Sequence, residues 1–123
     1  MLLPTPNAAP HPDDSPQHTL YVLVRTDIDP AHQVVQAAHA AAEAGRQFYE
    51  PAHGIARLIV LAVRDAAQLQ AARAFLQWRG VESTVFFEPD FGMGHSALAT
   101  RPLVAAERKL MRRWPLWQLP AVG

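Results

Sequence analysis

The alternation of apolar and polar positions divides the chain into seven segments of ordinary secondary-structure length. Residues 19–25 and 57–63 are nearly continuous apolar, β-branched runs, ending in Val24-Arg25 and Ala62-Val63, which is the pattern of strands buried on both faces. Between them Asp29 suits an N-cap and Pro30 the first helical position, so the alanine-rich stretch to about Ala44 reads as a helix with Gly45 as its C′ residue. Residues 46–56, with Pro51 and Gly54, form a connection. Asp65 caps a second helix running to Arg79, with Leu69, Ala72, Phe75 and Leu76 on one face and Gly80 just beyond it. Thr84 to Phe87 and Ser96 to Thr100 read as two further strands, and a last helix over 103–113 sets Leu103, Ala106, Leu110 and Trp114 on one stripe.

The order β-α-β-α-β-β-α predicts an α/β domain of two or three layers built on a four-stranded mixed sheet. Its first two strands, joined by a crossover helix, are expected to be parallel, and the short connection between the last two to reverse the chain. Sheets of this kind open a crevice beyond the strand C-terminal ends, which places Arg25, Asp27, Arg64 and Asp90 where a ligand would sit.

Composition sharpens this picture at a few points. The first 18 of the 123 residues hold five of the eleven prolines and no apolar periodicity, so they read as a flexible tail before a single domain over 19–123. No apolar run reaches the length of a membrane span and no secretion signal is legible, which makes a cytoplasmic location the expectation. With no cysteine the chain has neither disulfide scaffold nor thiolate nucleophile. The formal net charge is zero, yet Arg101, Arg108, Lys109, Arg112 and Arg113 face one acid, Glu107, in the last predicted helix. Arginines number ten and lysines one, so a lysine lost elsewhere is expected to reappear as arginine.

The first helix holds the most informative pattern. Ala31, Val34, Val35, Ala38, Ala41 and Ala42 recur at helical spacing and predict its core face. His32, Gln36, His39 and Glu43 fall at i, i+4, i+7 and i+11 on a second face. A solvated stripe explains that face without any chemistry. His32 and His39 are two turns apart and no compact third ligand accompanies them, so no metal site and no cofactor are expected.

Val22 to Ile28, followed by Gln36-Ala37-Ala38-His39-Ala40-Ala41, resembles the opening of type-2 peptidyl-tRNA hydrolases, where a strand ending in R-x-D-L leads into a helix carrying K-x-x-x-Q-x-x-H-A. The resemblance spans residues 19–102, through Asp90-Phe91-Gly92 and the strand closing at Pro102. It is strongest to the divergent "peptidyl-tRNA hydrolase domain-containing" branch. The family's helix lysine falls on His32, its second-strand lysine on Ala62, and its loop threonine on Gly94. The resemblance implies an esterase that cleaves the bond between a peptide and the 3′ ribose of tRNA, or a catalytically impaired RNA- or protein-binding module of the same fold. In the first case His32 is the base or a proton shuttle, Gln36 donates to the oxyanion or the peptide carbonyl and Asp90 orients water or a cationic partner, with Arg25, Asp27, His39, Arg64, His95, Ser96 and Arg101 contacting the substrate. A structural hydrogen-bonding role for His39 accounts for it equally well. The resemblance also implies a tRNA partner and a homodimer that buries the apolar C-terminus (Leu116, Trp117, Leu119, Val122).

Overall fold

The computed structural model describes residues 18–119, and the expected N-terminal tail and Val122 lie outside them. Strands β1 (Thr19–Arg25), β2 (Arg57–Val63), β3 (Ser83–Glu88) and β4 (Gly94–Thr100) form one sheet in the order β2-β1-β4-β3. β1 and β2 run parallel, in register from Thr19 opposite Arg57 to Arg25 opposite Val63. β4 is antiparallel to both β1 and β3, so the sheet is mixed as the element order predicts. Helix α1 (Pro30–Gln47) crosses one face and helix α2 (Ala66–Trp78) the other, giving three layers.

Strand alternation divides the core in two. Tyr21, Leu23, Leu61, Val63 and Leu98 point toward α2, where Leu69, Ala72 and Leu76 meet them. Leu20, Val22, Val24, Ala97 and Ala99 point the other way, toward Ala40 and Ala44 of α1. The central strands β1 and β4 therefore carry no solvated face, because both faces are covered, whereas the edge strands β2 and β3 are partly exposed.

Three local expectations change. α1 continues through Gly45 to Gln47, and Phe48 takes the C-cap with its N–H donating to Ala44 O. The core face of α1 is Gln33, Gln36, Ala40 and Ala44, while Val34 and Val35 stand 53% and 48% exposed with Ala31, Ala38 and Ala42 beside them. Of the predicted apolar stripe, Ala41 alone packs partly against the core. In a helix so rich in alanine the apolar pattern runs round most of the circumference and does not fix the rotation, whereas hydrogen bonds to the two glutamines do. The last helix is a 3₁₀ helix, Ala105–Arg113, not an α-helix. With three residues per turn it buries Met111 and Trp114 and leaves Ala106 exposed.

Beyond it the chain pairs with the outer edge of β2: Ala62 N–H donates to Pro115 O at 2.8 Å and Trp117 N–H to Val60 O at 2.9 Å. This covers part of an otherwise open edge. Trp117 packs within the chain against the α1 layer, whereas Leu116 and Leu119 are exposed.

Arg101 closes this end of the molecule. Its guanidinium binds both carboxylate oxygens of Glu107, at 3.0 and 2.7 Å, and that hydrogen bonding holds the Glu107 carboxyl below the ordinary range. A carboxyl depressed in the folded state stabilises the fold above its unfolded pKa and loses that contribution as pH falls through the folded value. Glu107→Gln is therefore expected to lower stability by about 1 kcal/mol at pH 7. In urea melts the gap to the parent protein should close below about pH 4.

Candidate functional site

The C-terminal ends of β1, β2 and β3 and the start of β4 share one rim of the sheet, a consequence of the strand directions. Arg25 organises it. Its Nε and Nη2 donate to the two carboxylate oxygens of Asp27, each at 2.9 Å, and its Nη1 donates to Met93 O at 2.7 Å and His95 O at 3.0 Å. The paired hydrogen bonds keep Asp27 below the usual carboxylate range and hold Arg25 further in its charged form. These two residues, expected to contact substrate, instead clamp the turn that leads into β4.

That turn is sharp. Asp90–Gly92 forms a single 3₁₀ turn in which Phe91 has φ 61°, followed by Gly92 at φ 63° and Gly94 at φ 71°. Glycine tolerates this region, but a bulky side chain there stores about 1–3 kcal/mol of strain. Phe91 is nonetheless 77% exposed, and its ring lies against the imidazole of His32, 4.9 Å between centroids with 29° between planes. His32 therefore meets the turn that carries Asp90. Among the described residues no hydrogen bond joins the two side chains, and none holds the Asp90 carboxylate.

Further along α1 the stripe serves the core. Gln36 is 2% exposed and its Oε1 accepts from Ser96 Oγ at 2.6 Å, so both polar groups are satisfied under the helix. Gln33, adjacent on the same buried side, donates through Nε2 to Thr26 O and Ile28 O and accepts from Trp117 Nε1 at 2.7 Å. His39 lies flat on Phe86, 4.4 Å between centroids and 2° from parallel. Gln33 did not stand out in the sequence. Its place three residues before Gln36, on the same helical side, was the signal available.

Other expected site residues are scattered. A β-bulge in β4 sets Phe86 opposite Ala97 and Phe87 opposite His95. Ser96 faces α1 while His95 faces α2, where its Nδ1 lies 3.0 Å from Gln70 Nε2 and its ring meets Phe87 edge-on. Arg64 sits past the end of β2 with β1 between it and β4, and its backbone N–H donates to Gln68 Oε1. Arg101, at the far end of β4, belongs to the opposite end of the sheet because β4 runs antiparallel to β1. His32 and Asp90 thus share the rim, Gln36 lies almost wholly buried beneath it, and Arg101 is removed from it.

The rim is acidic. Asp27, Asp29, Asp65, Glu88 and Asp90 stand at strand ends against Arg25 and Arg64. Asp27 is paired and Asp65 caps α2 by accepting from Gln68 N–H. Among the described residues no ion pair neutralises Asp29, Glu88 or Asp90. Nor does any group of three or more His, Cys, Asp and Glu side chains among them form a metal cage.

No family model matches the chain, and no curated protein matches it. Among solved structures it is similar to a protein of unknown function, Atu0240, from Agrobacterium tumefaciens str. C58. The TM-score is 0.61 at 14% identity, over 83% of this chain and 98% of that one. At that identity the likeness shows a shared fold alone.

The Gln36–Ser96 bond generates a direct test. Ser96→Ala leaves a buried amide oxygen unpaired and is expected to cost about 1–3 kcal/mol in denaturant unfolding. Adding Gln36→Leu removes the orphaned group, so the double variant should be less destabilised than the two single changes summed.

Proposed function

We propose that this chain is a catalytically impaired module on a peptidyl-tRNA hydrolase-like framework, whose rim binds a cationic polypeptide segment. The observation that carries the reading is Phe91: a strained, outward-facing aromatic ring held against His32, in a turn that also carries Asp90 and follows Glu88, neither of them ion-paired among the described residues. An exposed ring beside carboxylates suits lysine or arginine side chains, which gain both cation–π and charge contacts. The same carboxylates repel a phosphate backbone, whose binding relies on neutralisation by cations.

The impairment follows from the groups that have other tasks. Gln36 is 2% exposed and anchored through its oxygen to Ser96, which leaves a bulky ester little access to its amide, and the arginine nearest the turn is spent on Asp27 and two carbonyls. Loss of one oxyanion donor alone costs roughly 100- to 1,000-fold in rate.

A second reading, an esterase cleaving peptidyl-tRNA or a related aminoacyl or peptidyl ester, is favoured by one feature: a half-buried imidazole at the turn that carries a free carboxylate. In that case His32 removes a proton from water while Asp90 orients it.

Two measurements divide the readings. A fluorescein-labelled lysine- and arginine-rich decapeptide should bind the full chain in a salt-sensitive way, and Phe91→Ala and Asp90→Asn should each weaken it about tenfold. Single-turnover incubation with labelled peptidyl-tRNA should leave the ester intact. Rapid cleavage that collapses in His32→Ala would establish the esterase and refute the impaired module.

A further inference from the structure

A second charged region lies on the other face of the sheet. Between the 3₁₀ helix and strands β1 and β2 is a cavity of about 660 Å³, within the roughly 300–1,000 Å³ of small-molecule sites. Its floor is apolar, with Ile59, Leu61 and the exposed Leu116. Arg108, Lys109 and Arg112 line it on the helix side.

The cations of this helix are sorted by task. Arg101 is bound to Glu107, and Arg113 lies over the Phe75 ring at 3.7 Å. Arg108 donates through Nε to the Tyr21 hydroxyl at 3.0 Å, a neutral partner that fixes the side chain and leaves its charge uncompensated. Among the described residues neither Lys109 nor Arg112 has a carboxylate partner. The 3₁₀ winding matters here: residues three apart eclipse, so Lys109 and Arg112 stand one above the other on the cavity side. In an α-helix the same pair would be offset around the axis.

We infer that this cavity binds a small amphipathic anion, with a phosphate or carboxylate head held by Arg108, Lys109 and Arg112 and an apolar body laid on Ile59, Leu61 and Leu116. Three unpaired cations beside an apolar floor match neither a neutral lipid nor a simple inorganic ion. The head needs the charges, and the floor needs a body to cover it. The site is independent of the rim, from which the sheet separates it.

Octyl phosphate and octanoate are suitable probes for the full chain, with displacement of anilinonaphthalene sulfonate and amide NMR shifts as readouts. Binding should perturb the amides of residues 59–61 and 105–112. 1-Octanol and inorganic phosphate, each offering half of the ligand, should bind at least about tenfold more weakly. Lys109→Ala/Arg112→Ala should lower affinity by a similar factor at unchanged melting temperature, and Arg73→Ala, on the exposed side of α2, should not. Equal binding to the double variant, octanol as effective as octyl phosphate, or no binding of either anion would overturn the proposal. So would a short RNA competing as well as octyl phosphate, or sedimentation with phosphatidylglycerol vesicles in place of binding to the monomeric anions.

Discussion

The architecture turns on the burial of two side-chain amides beneath α1. A helix lined by alanine slides and rotates on a sheet with little penalty, since one methyl group replaces another. Gln33 and Gln36 remove that freedom. Each is buried, and each has partners at one setting of the helix: the carbonyls of Thr26 and Ile28, the Trp117 indole and the Ser96 hydroxyl. A rotation that buried Val34 and Val35 instead would gain apolar contact and lose these bonds. Leaving such groups unpaired inside the protein costs about 1–3 kcal/mol each. The polar requirement therefore overrides the hydrophobic one, and it also ties the C-terminal segment, through Trp117, to the loop that begins α1.

The strands and their succession along the chain were legible because buried strands are written as unbroken apolar runs, and Asp65 marked the start of α2 plainly, whereas the order β2-β1-β4-β3 within the sheet appears only in the fold. The rotation of α1 was not, because a helix with apolar residues on most sides carries no clear periodic signal. The winding of the last helix was equally hidden, since the 7- and 11-residue spacings of Leu103, Leu110 and Trp114 fit 3.6 residues per turn and not three, while Leu103 and Trp114 lie outside the 3₁₀ helix itself. At the rim, topology placed Asp90 at the strand ends, while the pairing of His32 with that turn was an expectation of the family resemblance. The engagement of Gln36 with Ser96 depends on a pairing sixty residues apart that only the folded sheet creates. The bulge in β4 sets Ser96 and Ala97 on the α1 side together and turns His95 toward α2, which the sequence does not mark.

Arg25 illustrates how one residue is read differently before and after folding. At the end of a strand, two residues before an aspartate, it resembles a phosphate ligand. In the folded chain it has four acceptors and one-eighth of its side chain exposed, 12%. Its task is to hold the turn in which Phe91 adopts its unfavourable backbone, so the arginine and the strained aromatic belong to one device.

The formal neutrality of the chain conceals a separation of charge, with carboxylates gathered along one end of the sheet and cations on one flank. Such a particle carries a sizeable dipole, and its colloidal behaviour departs from that of an uncharged sphere. Near its isoelectric point, copies are expected to attract head to flank in dilute buffer, with added electrolyte screening that attraction and raising solubility.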